Sequence, residues 1–534
     1  MTTTFQVLLA MLAILVVVAL VARRLEIAPS ILLVVAGVVL ALIPGPTRIE
    51  LAPELVLLVL LPPLIYSAGV SMSWRDFRFN LRLISLLAVG CVVFTTCAVA
   101  VVAHYVIGLP WAVGFLLGAI VAPPDVVAPL ALARKVGLPR RLLVVLEGEG
   151  LVNDATALIL YRFAVVAIST GAFSLPQAAG TFGLIVVGEL AYGIGVGWLS
   201  LHARRWAKDP RVEITLSLMT PYVAYWVPEH FGGSGVLAAV AAGLYVSWNG
   251  PLLIPAATRL QGIFFWDLII YLIEGFVFLV TGLQARTLVD RIADFSLREL
   301  LFATAVTTLI VVVARFVWMF PAIYVPRWIP AVRRRDPAPP WQWPFALAFT
   351  GVRGVVSLAA ALAIPLTLAN GQPFPHRDLI LFITFGLIII TIVGFGLLLP
   401  AVMRALGLTA HGAAERKREA EAELAARQEL LELAGRRIDD LAAACGLSPE
   451  RVREVHARHD QRLTELVACT SPDSDPSREI ELHLALVTAE REILHDLLRE
   501  GRVGDETRRR LERELDLEEA RLSMRTDNRP DLPM

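Results

Sequence analysis

Residues 118–129 read G-A-I-V-A-P-P-D-V-V-A-P, and residues 147–162 read E-G-E-G-L-V-N-D-A-T-A-L-I-L-Y-R. Each stretch lies in an apolar run long enough to cross a bilayer, about 111–133 and about 141–169. Each run carries a carboxylate near its middle, Asp125 in the first and Asp154 in the second. An ionised aspartate at the bilayer centre costs about 2.5–3.5 kcal/mol on insertion scales, so one is seldom kept there without a task. Two of them, 29 positions apart, point to an ion or proton site.

The rest of the chain fits that setting. Its 534 residues are 56% hydrophobic, and the mean hydropathy is +0.66. Soluble globular chains are usually about 45–50% apolar. The net charge is zero, so no global field points to nucleic acid. The charge is segregated instead. Residues 1–405 are mostly apolar runs, and residues 411–534 are dense in Arg and Glu. This predicts an all-α polytopic membrane domain over 1–408 and a cytoplasmic helical tail over 409–534. The cysteines Cys91, Cys97, Cys445 and Cys469 have no metal or disulfide spacing and read as small buried side chains. The first apolar run, Phe5 to Ala22, follows M-T-T-T-F-Q, which has no positive side chain, and precedes Arg23-Arg24. It reads as a retained span rather than a signal peptide.

Apolar runs fall at about 4–22, 28–44, 51–69, 84–106, 111–133, 141–169, 177–201, 212–227, 234–247, 259–285, 298–324, 343–367 and 377–402, about thirteen spans. Lys and Arg concentrate in the connections after odd-numbered runs, among them A-R-K-V-G-L-P-R-R, H-A-R-R-W-A-K-D-P-R and P-R-W-I-P-A-V-R-R-R. The positive-inside rule then puts the N-terminus outside and the tail inside a cell membrane crossed many times. An odd count permits two six-span halves, about 1–171 and about 212–404, with a linker span at about 177–204. The halves are inverted relative to one another. Secondary transporters built this way mark their site with interrupted segments at matching places. Here the fifth span of each half is interrupted. One holds Pro123-Pro124-Asp125, where two prolines remove donors and free carbonyls. The other holds Thr350-Gly351-Val352-Arg353-Gly354. Irregular backbone at that depth must be buried in protein or line a cavity.

Asp125 and Asp154, ionised, offer hard oxygens to an alkali cation; protonated, they carry the proton. Competition between the two for one site couples their fluxes, provided that only the occupied site changes its exposure. Carbonyls at Ala119 to Val121 and the hydroxyl of Thr156 are candidates to complete the shell. Arg353 needs a partner in the membrane; Glu149 is the first candidate and Glu147 the second, making a structural pair. Asn153 adds no second proton carrier beside Asp154, which predicts one cation exchanged for one proton, an electroneutral cycle. Other charges in the runs read blandly. Arg162 pairs with an acid, Glu189 sits at a helix interface, and Glu274 and Arg315 pair with each other or with backbone.

With E-G-E-G-L-V-N-D, the upstream G-A-I-V-A-P-P-D, the downstream G-V-R-G-V-V-S-L-A and L-P-P-L-I-Y-S-A at 61–68, the chain resembles monovalent cation/proton antiporters over roughly 5–405. The branch is the NhaP-like bacterial exchangers, related to the eukaryotic sodium/proton exchangers. The resemblance implies thirteen spans in inverted repeats with crossing interrupted helices, a homodimer, a core domain moving against a dimerisation domain, and a part in pH homeostasis. It implies no enzyme activity and no cofactor beyond transported Na⁺ and H⁺. The family's essential aspartates match Asp125 and Asp154. Its Asn-Asp motif, associated with electroneutral exchange, matches Asn153-Asp154, and its Glu–Arg ion pair matches Glu149 and Arg353. Three positions depart from common family residues. Pro124 replaces a Thr, Gly150 replaces a Ser, and Ser67 replaces an acid found in some third spans. These changes leave the transport class but open the cation to Na⁺, K⁺ or Li⁺.

A cation channel would show a symmetric pore loop, and an intramembrane aspartyl protease would show G-x-G-D around its second aspartate; this chain has N-D-A-T-A. In the tail, 412–445 has a charged helical pattern with an apolar stripe at Leu424, Leu430, Leu431 and Leu433. Ser448-Pro449-Glu450 opens a further helix. S-P-D-S-D-P-S at 471–477 reads as a loop, followed by helices at about 478–500 and 505–522. The tail reads as a solvated or dimer-stabilising bundle, with regulation as the second reading.

Overall fold

The computed structural model describes residues 2–25, 27–43, 56–291, 296–368, 371–468, 476–499, 502 and 505–527. Among them the fold is helical, with one isolated antiparallel bridge between Thr367 and Pro373. Two compact units divide the chain, Met1–Thr409 and Ala410–Met534.

The first unit holds eight helices long and apolar enough to cross a membrane, by length and composition. They are α1 (Thr2–Leu25), α4 (Trp74–Ile107), α6 (Arg140–Thr170), α7 (Leu175–Ala207), α9 (Val236–Leu253), α10 (Ala256–Arg291), α11 (Leu297–Tyr324) and α13 (Arg377–Ala405). Between them lie α2 (Pro29–Leu42), α3 (Leu61–Ser71) and α8 (Pro210–His230). Two further segments are each split into half-helices: α5a (Trp111–Val121) with α5b (Val127–Val136), and α12a (Gln342–Phe349) with α12b (Val355–Leu362). Apolar side chains on the long helices stay exposed, as a bilayer-spanning helix requires; Leu184 is 75% and Val187 68% exposed on α7.

Local chemistry sets the helix ends. Ser73 accepts the Asp76 amide at the start of α4. Asp209 accepts the Arg211 and Val212 amides at the start of α8, with Pro210 in the first turn. Gly171, at φ 71°, closes α6 in the left-handed conformation. Glu189 of α7 accepts the amides of Ser234, Gly235 and Leu237, placing a carboxylate on the N-terminus of α9. It thus joins two helices, as the interface reading expects.

Small residues let helix backbones touch. A Cβ on Gly282 of α10 would stand 2.2 Å from the Val34 carbonyl oxygen of α2, and one on Gly193 of α7 would stand 2.2 Å from that of Ala238 on α9. Packing therefore sorts the helices into two sets. Helices α1–α3 and α7–α10 pack mainly on one another, as do α4–α6 and α11–α13. In the second set, Asp336 gathers Arg141 of α6 at 2.8 Å, Arg82 of α4 at 2.5 Å and Arg327, just beyond α11, at 2.7 Å. Burial pushes the Asp336 carboxyl up, but hydrogen bonds from Arg141 and Arg327 outweigh it and hold the group below the usual carboxylate range.

Cys91 is buried as expected, but Cys97 and Cys445 are exposed. Cys97 lies on an exposed face of α4. Cys469 lies outside the described residues.

The second unit contains α14 (Leu408–Gly435), which starts at the boundary, α15 (Ile438–Ala444), α16 (Pro449–Ala468), α17 (Pro476–Arg499) and α18 (Asp505–Asp527). His456 meets Asp439 at 2.9 Å, and His459 meets the Leu431 carbonyl at 2.7 Å, folding α16 back on the two helices before it. The apolar stripe of α14 is only partly covered: Leu424 and Leu431 are half-buried, but Leu430 is 69% and Leu433 51% exposed. Of the expected loop at 471–477, residues 471–475 lie outside the described residues, and Pro476 already belongs to α17.

Candidate ion site

The two interrupted segments cross at their breaks. The Asp125 amide donates to the Val352 carbonyl at 2.7 Å, joining one break to the other. Two helix N-termini and two helix C-termini meet there, each end carrying about half an elementary charge. Charged side chains answer the sign of every end.

The N-termini belong to α5b and α12b. The Asp125 carboxylate accepts the Val127 amide at 2.9 Å and also takes the Val355 amide, so one carboxylate serves both ends. Gly354 makes this possible, because a Cβ there would stand 1.5 Å from Oδ2 of Asp125.

The C-termini belong to α5a and α12a. Arg353 donates from Nε to the Val121 carbonyl at 3.0 Å, from Nη2 to that of Ala122 at 3.2 Å, and from Nη1 to that of Gly351. Its own amide donates to Thr391 Oγ1 of α13 at 3.0 Å. Arg315 of α11 donates to the Leu347 carbonyl from Nε at 3.2 Å and from Nη2 at 3.0 Å. It also grips Glu149 with two bonds, 2.6 and 2.9 Å.

This corrects the ion pair expected from the sequence. Glu149 pairs with Arg315, not with Arg353; of the two partners read for Arg315, backbone is found, at Leu347, and Glu274 is not. Arg353 already spends its donors on carbonyls left over by the broken helices, which satisfy its hydrogen bonds without a carboxylate. Glu147, the second candidate, pairs with Arg134 of α5b. The carbonyl of Val121, expected to face an ion, is likewise taken by Arg353. Sequence reasoning gave Arg315 only a packing role and missed its bond to Glu149. The signal was present, a guanidinium at mid-length of an apolar run, which must find a carboxylate or carbonyls.

The remaining predicted residues fall as follows. Asp154, half-buried on α6, has no hydrogen bond or ion pair among the described residues. Next to it, Asn153 donates from Nδ2 to the Pro124 carbonyl at 2.7 Å, tying α6 to the first break. Asn153 Oδ1 is buried with no partner. Thr156 turns its hydroxyl onto the Val152 carbonyl of its own helix at 3.4 Å. Ser67 is half-buried on α3, with no hydrogen bond to the crossing among the described residues. Arg162 pairs with Glu229 of α8 at 2.5 Å. No cluster of three or more His, Cys, Asp or Glu suited to a bound metal ion occurs among the described residues.

The chain is similar to known proteins. The chain is 32% identical to an uncharacterized Na⁺/H⁺ exchanger of Mycobacterium tuberculosis, covering 97% of this chain and 96% of that one. It is 33% identical to a sodium, potassium, lithium and rubidium/H⁺ antiporter of Bacillus pumilus over 68% of this chain and 56% of that one. The sodium proton antiporter MjNhaP1 of Methanocaldococcus jannaschii has a similar fold, with a TM-score of 0.61 at 17% identity over 77% of this chain and 98% of that one. The family described as sodium/hydrogen exchanger, transmembrane, matches residues 9–405, and this chain belongs to that family of NhaP-like cation/proton antiporters.

Proposed function

We propose that this protein exchanges one monovalent cation for one proton across the cell membrane, with Na⁺ as the principal cation and Asp125 and Asp154 as the residues that bind both. The observation that carries the reading is the pair of aspartates at the crossing of two broken helices. Asp125 is fixed by the α5b and α12b termini, while Asp154 has no partner among the described residues. A fixed carboxylate provides the geometry, and a free one can trade a proton for a cation. Asp125, Asp154 and the unpartnered Asn153 Oδ1 supply the oxygens; Thr156, Ser67 and Pro124 shape the surroundings. Because Asn153 carries no charge, the cation that enters replaces a single proton charge and the cycle moves no net charge.

The thirteen helical segments α1–α13 among the described residues of the first unit, counting α5a–α5b and α12a–α12b as one each, support a reading as thirteen passes in two inverted six-helix repeats around α7. With the Arg-rich connections inside, the N-terminus faces out and the tail faces the cytoplasm. The two packing sets supply a moving core, α4–α6 with α11–α13, and a scaffold that pairs in a homodimer. Because only the occupied core changes its exposure, the fluxes are coupled. The tail unit serves as a stabilising or regulatory bundle.

The relatives named for several alkali cations, together with Ser67 in place of a third-span acid, support a broader cation range that includes K⁺. The test is proton movement in proteoliposomes with a trapped pH dye, adding Na⁺, K⁺, Li⁺ or choline in turn, with Asp154→Asn as control. Exchange with an alkali cation, absent in the variant and unaffected by membrane potential, supports the reading. No cation-dependent proton movement from well-folded protein overturns it, and a rate that follows membrane potential overturns electroneutrality.

A further inference from the structure

Thr391 lies on α13 inside a π-helical turn, Ile390–Phe395, and is fully buried. Such turns are rare and often stand at functional sites. This one meets the second break at two points. The Thr391 hydroxyl accepts the Arg353 amide at 3.0 Å. The Phe395 ring lies 5.0 Å from that of Phe349, the last residue of α12a. The stretches of α13 on either side of the turn divide between the two half-helices whose N-termini hold Asp125. Arg377–Ile389 packs on α12b, and Gly396–Ala405 packs on α5b.

The bond to Arg353 bears directly on Asp125. The Val352 carbonyl and the Arg353 amide are the two ends of one planar peptide group. The carbonyl accepts the Asp125 amide at 2.7 Å, and the amide donates to Thr391. Thr391 in turn donates to the Leu387 carbonyl at 2.9 Å, which fixes the hydroxyl on α13 and turns a lone pair toward the break. A planar group held at both ends keeps one orientation. Released from Thr391, it would be held by Asp125 alone, and a buried N–H would be left without a partner, which costs more than the bond itself is worth. The hydroxyl spends its proton on Leu387 and a lone pair on Arg353, so it acts on the site through Asp125.

We infer that Thr391 is a positioning residue for the cation: through the Val352–Arg353 peptide it sets the place of Asp125 between the α5b and α12b termini. A carboxylate moved by a fraction of an ångström still carries charge but no longer presents its oxygens at the right place. Cation binding therefore weakens, while the exchange step at Asp154 proceeds once the site is filled. The inference rests on the antiport reading above, with Asp125 as a ligand of the cation.

The experiment compares the full-length wild type with Thr391→Val and Thr391→Ser in proteoliposomes, titrating Na⁺ and, separately, K⁺, with Asp154→Asn as control. In parallel, the cation-induced rise in melting temperature of the purified proteins is read without transport. Valine keeps the shape of threonine but cannot accept the amide; serine keeps the hydroxyl and loses a methyl. Thr391→Val should raise the KM for the cation about ten- to a hundredfold at a maximal rate close to that of wild type, and shrink the cation-induced melting shift. Thr391→Ser should stay within about twofold of wild type in KM, even where the lost methyl lowers its melting temperature. If the valine variant does not fold, Thr391→Cys replaces it, with sulfur as a weak acceptor and the same expected rise in KM. An unchanged KM and melting shift in the valine or cysteine variant overturns the inference, provided that the wild type exchanges and Asp154→Asn does not. Equal rises in KM for valine and serine overturn it as well, because the hydroxyl would then not be what positions Asp125. If the wild type moves no protons with either cation, the antiport reading fails and takes this inference with it.

Discussion

The guanidinium of Arg315 meets the carboxylate of Glu149 through two hydrogen bonds, at 2.6 and 2.9 Å, and the two side chains are 1% and 0% exposed. At that depth neither charge can turn to water if its partner is removed. Removing one member of a buried pair costs on the order of 3–5 kcal/mol. Glu149→Gln is therefore expected to lower the stability of the purified protein by about that amount in thermal unfolding. A double-mutant cycle assigns the partner. Coupling of Glu149 to Arg315 should be large and to Arg353 small, and the reverse order would sink the assignment.

Gly354 and Asp125 are the tightest steric relation in the site. An alanine methyl at 354 would stand 1.5 Å from the Asp125 carboxylate oxygen, so the carboxylate must leave the α5b and α12b termini. A displacement of about 1 Å at a reacting group can cost about a hundredfold in rate. Gly354→Ala should cut cation-dependent proton flux by about ten- to a hundredfold. The control is Gly183→Ala, where a Cβ meets nothing within 4 Å. Normal flux in the Gly354 variant would remove Asp125 from the centre of the site.

Arg162 and Glu229 make the contrasting case. Their bond is short, 2.5 Å, but the side chains are 32% and 31% exposed. Water and salt screen such a pair, which leaves about 0–1 kcal/mol. Glu229→Gln should therefore shift stability by less than about 1 kcal/mol, and added salt should shrink that shift further. A loss as large as that of Glu149→Gln would mean that the pair is sealed in the working protein.

How much of this was legible depends on what each feature needs from the third dimension. The helices were readable because a bilayer dictates the length and polarity of each apolar run, and the described parts of those runs are largely helical. The two breaks were readable because Pro123-Pro124 and the glycines at 351 and 354 act locally on the backbone. Asp125 and Asp154 stood out because charge is rare at that depth. The partner of Glu149 was not legible. Choosing between Arg315 and Arg353 requires the rotation of α11 about its axis and the knowledge that α5a and α12a present free carbonyls to Arg353. The π-helical turn Leu86–Cys91 in α4 was hidden for a similar reason. Its Leu86 carbonyl is taken at 2.9 Å by the indole of Trp318, a residue 232 positions away.

Asp336 predicts the pH dependence of the core. Its carboxyl is held below the unfolded value of about 3.9, because the hydrogen bonds from Arg141 and Arg327 outweigh the effect of burial. A depressed carboxyl contributes stability that is fully present above the unfolded value and is lost as pH falls through the folded one. The difference in melting temperature between wild type and Asp336→Asn should be constant from neutral pH down to about 5. It should shrink below about pH 4, as protonation removes from the wild type what the variant already lacks. Protonation leaves Arg82, Arg141 and Arg327 facing one another around a neutral group, so the ties between α4, α6 and the end of α11 loosen together. A difference that persists unchanged into strong acid would show that these arginines do not depend on the charge of Asp336 to stay together.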